Sequence, residues 1–176
     1  MNTLPIPLPR SLTIFVTSAA NVEPVSQLIA EMALRGPVTV LDGGNCFPAY
    51  RLLRLLRLQV PDPTTAANRI FVRRAFTCYQ MLAMLEGTPA LPQPHVLLNP
   101  FATFYDEQVP LPEVRRLLAG SLRELERLRQ PAPLLAVLVP AHSEDRAFLV
   151  EQVCQAAESL YITEALAPHV VQPALF

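Results

Sequence analysis

The sequence predicts a doubly wound α/β fold, in which helices flank a mostly parallel sheet within a single domain spanning residues 1–176. Short apolar runs alternate along the chain with stretches whose apolar residues recur at helical spacing. The runs are apolar throughout instead of alternating with polar residues, as expected for parallel strands covered on both faces. Hydrophobic residues make up 51% of the 176 residues, which suits one domain with a substantial core.

Strand and helix units follow one another along the first half of the chain. Gly36-Pro37 ends the first helix, and Asp42-Gly43-Gly44-Asn45 supplies a turn after the second strand. A loop rich in proline follows the second helix. The predicted elements are a strand at 12–16, a helix at 22–34, a strand at 38–41, a helix at 48–58, a strand at 70–72 and a helix at 77–86.

The second half continues the alternation. Its longest helix carries leucines on one face, with arginines and glutamates on the other. The predicted elements are a strand at 95–98, that helix at 113–129, a strand at 134–139, a helix at 144–158 and candidate edge strands at 160–163 and 170–171. We expect residues 1–10 to form an extended segment and residues 164–176 to form a tail.

Composition argues against several classes of protein. The formal net charge is −1 and all 14 basic residues are arginine, so overall charge favours neither a nucleic-acid binder nor an acidic tail. Cys46, Cys78 and Cys154 are odd in number and widely spaced, which disfavours disulfides or a CxxC metal site and fits the cytoplasm. No apolar run approaches the roughly 18 to 20 residues of a membrane helix. We expect no metal or other cofactor and no membrane partner.

Three segments of the chain, in order, carry a resemblance to a known family. Residues 15–28 match a strand, a GxxxxGKT loop and a helix start, residues 40–51 match a strand ending in Asp-Thr-Glu-Gly-x-Phe, and residues 96–105 match a Walker B strand. Together with the strand and loop at 138–142, they resemble the core of the RecA/RadA recombinases and their KaiC-like relatives. The likeness spans residues 12–142 and implies a RecA-like scaffold.

The resemblance also implies that the ATPase chemistry is missing. The family's two loop glycines, lysine, hydroxyl residue, water-activating glutamate and magnesium-supporting aspartate fall, in that order, on Ala19, Pro24, Val25, Ser26, Gly44 and Asn99. Proline removes an N–H donor from the phosphate loop, and valine replaces its cation with an apolar group. Glycine cannot activate water, and a neutral asparagine supports magnesium less well than a carboxylate. We therefore expect no catalytic residues at this site.

Five arginines are candidate contacts for an anion or DNA. Arg51, Arg54 and Arg57 lie three residues apart on the second predicted helix, so they share a broad face that could follow phosphates or could simply be solvated. Arg73 and Arg74 follow the third strand, at the edge of the sheet where ligands usually bind. Pairing with nearby carboxylates is the more ordinary interpretation for these two.

Other polar residues support weaker hypotheses. Asp42, Asp106 and Glu107 could pair with the arginines or gather around a metal, although acidic loop residues are normally solvated. A nucleophilic dyad of Ser18 with His142 is disfavoured, because nothing in their spacing indicates it.

We therefore expect a non-catalytic RecA-like protein that binds a protein partner in DNA recombination, repair or damage response. The partner would be a RecA-family ATPase or a second copy of the chain. Two alternatives stay open: a nucleotide-independent DNA-binding module that uses the five arginines, and an unrelated enzyme that uses Asp42, Asn99 or Arg74. DNA binding through the recombinase loops is disfavoured, because 105–112 is acidic and 142–146 is short.

Overall fold

One sheet organises the part of the chain that the structure describes, which is residues 11–17, 23–140 and 144–162 of this computed structural model. All pairings between its six strands are parallel, and the strand order is β3-β2-β4-β5-β1-β6. The predicted α/β class is therefore confirmed. The strands are β1 (Leu12–Val16), β2 (Val38–Asp42), β3 (Ile70–Arg74), β4 (His95–Leu98), β5 (Leu134–Leu138) and β6 (Ser159–Ile162).

Helices cover the two faces of the sheet. They are α1 (Glu23–Arg35), α2 (Ala49–Gln59), α3 (Pro63–Ala67), α4 (Cys78–Glu86), α5 (Leu111–Arg129) and α6 (Phe148–Gln155), with 3₁₀ turns at Ala102–Tyr105 and Glu144–Arg146. Over residues 11–17, 23–140 and 144–162, no helix combines the length and apolar character needed to cross a membrane.

Two hydrophobic cores lie on opposite sides of the sheet. One packs α1, α2 and α3 against the sheet, and the other packs α4, α5 and α6. The sequence of strand β5 is apolar throughout because both faces of the strand are buried. Leu134, Ala136 and Leu138 enter one core, and Leu135 and Val137 enter the other. Burial on both faces therefore removes the alternation that a half-exposed strand would show.

The two edge strands differ from the central ones. Within the described residues, β3 pairs with β2 alone and β6 with β1 alone, and most of the side chains of these two strands are exposed. In β3 the Phe71 side chain is 54% exposed. The predicted edge strand at 160–163 is confirmed as β6, one residue displaced, whereas the candidate strand at 170–171 lies outside the described residues.

Several element bounds differ from the prediction. Helix α3 was not predicted, although its start is marked in the sequence: Asp62 accepts hydrogen bonds from Thr64 N at 3.0 Å and Thr65 Oγ1 at 2.6 Å, and Pro63 opens the helix. Helix α6 is shorter than the predicted 144–158, because a 3₁₀ turn precedes it and β6 follows closely. The segments expected at 1–10 and 164–176 lie outside the described residues.

Candidate functional site

The carboxyl edge of the sheet is the expected place for a ligand in this fold. Ligands of open α/β sheets bind where the chain leaves neighbouring strands towards opposite faces. Here the chain leaves β2 towards α2 on one face, while it leaves β3 and β4 towards α4 and α5 on the other. The crevice is therefore flanked by Asp42 at the end of β2, Arg74 at the end of β3 and Asn99 just after β4.

Asp42 is fully buried and holds the loop that follows β2. Its Oδ1 accepts a hydrogen bond from Cys46 N at 3.0 Å, and its Oδ2 accepts from Phe47 N at 3.0 Å. Arg74 Nε donates to Oδ2 at 3.2 Å, which completes an ion pair between the buried carboxylate and a partly exposed guanidinium group. The predicted pairing of Arg74 with a carboxylate is thus confirmed, and the Asp42 carboxylate is committed to the fold.

Gly44, where the sequence resemblance would place a glutamate, lies against Asn99. A Cβ built on Gly44 would come within 2.8 Å of Asn99 Cβ, and one built on Gly43 would lie 2.7 Å from Pro100 Cα. Asn99 adopts a left-handed backbone with φ of 43°, and its Oδ1 accepts a hydrogen bond from Val139 N at 3.3 Å. Gly44 and Asn99 therefore pack closely against each other.

The positions that the sequence resemblance assigns to a phosphate loop lie partly outside the described residues, Ala19 among them. Val25 and Ser26 are buried in the first turns of α1, and Val25 packs in the core with α2 and α3, whereas Pro24 is exposed. The Val25 side chain, which the resemblance would align with the lysine, thus belongs to the hydrophobic core.

A shallow depression remains at the carboxyl edge. Its lining is mainly apolar, and it encloses essentially no volume for even a water molecule. The lining residues are Asn99, Phe101, Tyr105, Leu138, Val139, Leu149 and Val150. Of the three polar residues at this edge, Asn99 lines the depression, whereas Asp42 and Arg74 do not.

Arg73 has a structural role different from the one predicted. Its Nη1 donates to Gly87 O at 3.1 Å, to Thr88 Oγ1 at 3.0 Å and to Met84 O at 3.5 Å, so it caps the end of α4 instead of pairing with a carboxylate. By contrast, Arg51, Arg54 and Arg57 are all exposed on α2. Of the five candidate anion ligands, the structure brings together only these three.

The proposed carboxylate cluster does not form among the described residues, which contain no group of three metal-ligating side chains. Asp106 instead accepts a hydrogen bond from Gln108 N at 3.0 Å, and Glu107 is exposed. His95 is fully buried at the amino end of β4, on the opposite edge of the sheet from Asp42. Ser18 and His142 lie outside the described residues.

Two residues of consequence were missed by the sequence reasoning. Cys46 is exposed as a whole residue, but partial desolvation of its thiol, with the charge of Asp42, raises the pKa of Cys46 to about 11, so the thiol stays protonated near neutral pH. Arg146 is buried, and its guanidinium donates to Phe104 O and to Val109 O, the latter at 2.7 Å. A lone arginine after an apolar strand carries no local signal of such a role.

Comparison with known proteins does not assign the chain to a family. No protein-family model matches the chain, and none of the curated proteins searched matches it.

Proposed function

We propose that this chain is a non-catalytic RecA-like protein of the cytoplasm that acts by binding a protein partner in DNA recombination, repair or damage response. The observation that carries the proposal is that the chain's own residues occupy the carboxyl edge of the sheet at β2 and β4. Asp42 is used by its own loop and by Arg74, and Asn99 occupies the space beside Gly44. In the part of the chain that the structure describes, the space between the ends of β2 and β4 is thus occupied by the chain's own residues.

The arrangement of the three RecA-like segments supports the comparison with that family. They lie at β1, β2 and β4, and because all three strands are parallel, their following loops meet at one edge of the sheet. A common edge is what a shared nucleotide site would need. The resemblance implies the scaffold, while the residues at that edge argue against the chemistry.

The β3 edge of the sheet, which lies furthest from the β6 edge, offers a surface for a protein partner. Strand β3 leaves one edge without a neighbouring strand in the described part of the chain, and aromatic side chains surround it: Phe71 is 54% and Phe76 64% exposed, and Tyr79 is also exposed. An open edge flanked by apolar side chains is suited to adding a strand from another chain. We call Phe71, Val72, Phe76 and Tyr79 the β3 edge surface.

Calorimetry with magnesium and ATP tests the absence of nucleotide chemistry. We expect no binding at micromolar affinity and no hydrolysis. A Gly44→Ala variant should lose roughly 1 to 3 kcal/mol of unfolding free energy, because its Cβ would overlap Asn99. Combining it with Asn99→Gly should recover part of that loss, since glycine removes the obstacle and tolerates a positive φ.

Micromolar ATP binding by the unmodified chain would contradict the proposal. Additive effects of the two substitutions would instead show that Gly44 and Asn99 do not pack as described, without bearing on the partner.

Sedimentation and affinity capture test the partner surface. We expect the chain either to self-associate or to retain a RecA-family ATPase from its host, and a Phe71→Ser/Phe76→Ser variant to lose that association. The matched control is Leu160→Ser/Ile162→Ser, which changes exposed apolar residues on the other edge strand. A monomer that retains no such ATPase, or equal loss in both variants, would contradict the assignment.

A further inference from the structure

Helix α2 presents an exposed face that combines arginines with two apolar side chains. Leu52 and Leu56 turn towards the core, while Tyr50 is 81% and Leu58 76% exposed. Arg51, Arg54 and Arg57 are exposed beside them. We call Tyr50, Arg51, Arg54, Arg57 and Leu58 the α2 arginine face.

Among the side chains that the structure describes, none forms an ion pair with the three guanidinium groups. Helix α2 contains no acidic residue, and it packs against α1 and α3. On α1, Glu31 accepts a hydrogen bond from Gln27, and before α3 Asp62 is used as the helix cap. Like charges three residues apart repel each other, so this face costs stability in the isolated chain and favours an anionic ligand.

The distribution of charge along the chain points the same way. Residues 1–85 contain eight arginines and four acidic residues, whereas residues 86–176 contain six arginines and eleven acidic residues. The α1–α3 layer belongs to the first part, and α5 and α6 belong to the second. The part of the chain that contains α1 to α3 thus carries an excess of arginine despite the near-neutral total, and such an excess favours a polyanionic ligand.

The chemistry of the face favours one class of polyanion. Exposed aromatic rings beside arginines bind single-stranded nucleic acid, because bases stack on the ring while cations contact the phosphates. An anionic membrane fits less well, since interfacial helices separate a polar from an apolar face and the continuous apolar side of α2 is buried in the core. An acidic peptide would use the arginines but would not need a ring to stack on.

We propose that the α2 arginine face binds single-stranded nucleic acid, with Arg51, Arg54 and Arg57 contacting phosphates and Tyr50 stacking on a base. The inference goes beyond the proposed function and does not depend on the RecA-like resemblance. It also differs from a five-arginine surface, because Arg73 and Arg74 are committed to α4 and Asp42.

Fluorescence anisotropy with labelled oligothymidylate and oligouridylate of about 20 nucleotides tests the proposal, the two probes distinguishing DNA from RNA. Three phosphate contacts on a single strand predict that affinity falls about 20-fold between 50 and 200 mM salt. Arg51→Gln/Arg54→Gln/Arg57→Gln should abolish most of this dependence. Tyr50→Ala should weaken binding roughly fivefold or more while leaving the salt dependence intact.

The matched control is Arg115→Gln/Arg116→Gln/Arg123→Gln, which removes three exposed charges from α5 and should keep at least half of the affinity. Circular dichroism establishes that each variant is folded; all the substituted side chains are exposed. The proposal is overturned if neither oligonucleotide binds at 50 mM salt, or if both triple variants lose binding equally. It is also overturned if the face binds polyglutamate or phosphatidylserine vesicles but no oligonucleotide.

Discussion

Helices α2 and α5 both carry several arginines, but they use them in different ways. Three of the arginines on α5 pair with a glutamate one turn before them, and the pairs are Glu113–Arg116, Glu124–Arg127 and Glu126–Arg129. On α2 the same residue recurs every three positions with no carboxylate to match it. Since such pairs stabilise a helix and like charges destabilise it, α5 is suited to stability and α2 to a ligand.

A third group of arginines binds backbone carbonyl groups, and Arg127 belongs to it as well as to the paired arginines of α5. Arg69 donates to Ala33 O and Leu34 O at the end of α1, and Arg127 donates to Leu85 O and Thr88 O near the end of α4. A guanidinium presents several donors in a fixed plane, so it can bridge two carbonyl groups at a helix terminus. In a chain without lysine, arginine therefore has roles that range from helix caps to exposed cations.

The largest effect is expected at Arg146, the most buried member of this third group. Arg146→Met should lower the free energy of unfolding by about 3 kcal/mol, because the carbonyl groups of Phe104 and Val109 would lose charged donors in a buried setting. Urea denaturation measures the loss. A change below about 1 kcal/mol would remove the distinction between interior arginines and those of α2.

An intermediate effect is expected from pH, through the buried His95. Burial lowers the pKa of His95 from its ordinary value of 6.5, and the charge of Arg127 acts in the same direction. The unfolded chain therefore takes up a proton more readily than the folded one. The stability that neutral His95 provides is fully present above pH 6.5 and is lost as pH falls from there towards the lower folded value.

Urea titrations between about pH 7.5 and 5.5 should show this loss, with a slope of at most about 1.4 kcal/mol per pH unit from this residue. His95→Gln should flatten the slope, and Arg127→Gln should reduce it. The α2 triple glutamine variant should leave it unchanged, because α2 lies on the other face of the sheet. An identical slope in the His95→Gln variant would refute the assignment.

The smallest expected effect is a difference in unfolding free energy between variants of α2 and variants of α5. Replacing Arg51, Arg54 and Arg57 with glutamine should raise the free energy of unfolding by a few tenths of a kcal/mol, since two like-charge neighbours are removed. Replacing Arg116 on α5 should instead lower it slightly, because Glu113 loses its partner. Parallel urea curves at low salt measure both. A loss of about 1 kcal/mol in the α2 variant would show that its arginines support the fold.

Sequence reasoning was most successful where the signal is local. The alternation of strands and helices, the parallel class of the sheet and the amphipathic α5 follow from the spacing of apolar residues, and the structure confirms them. Helix α3 was missed although the Asp62 cap and Pro63 mark it, because five residues are too few to show periodicity. Arg73 was interpreted as a possible anion ligand or carboxylate partner. It instead caps α4, where its acceptors lie eleven or more residues further along the chain.

The sequence by itself determined that this chain would form an α/β sheet, and it contains no lysine. Only the tertiary structure decided that Asn99 fills the space beside Gly44 and that Asp42 is shared between its own loop and Arg74. Likewise, only the structure showed which arginines remain free for a ligand. The physical reason is that periodicity acts between neighbours in the chain, whereas closure of the crevice and pairing of charges depend on strands and helices that meet only after folding.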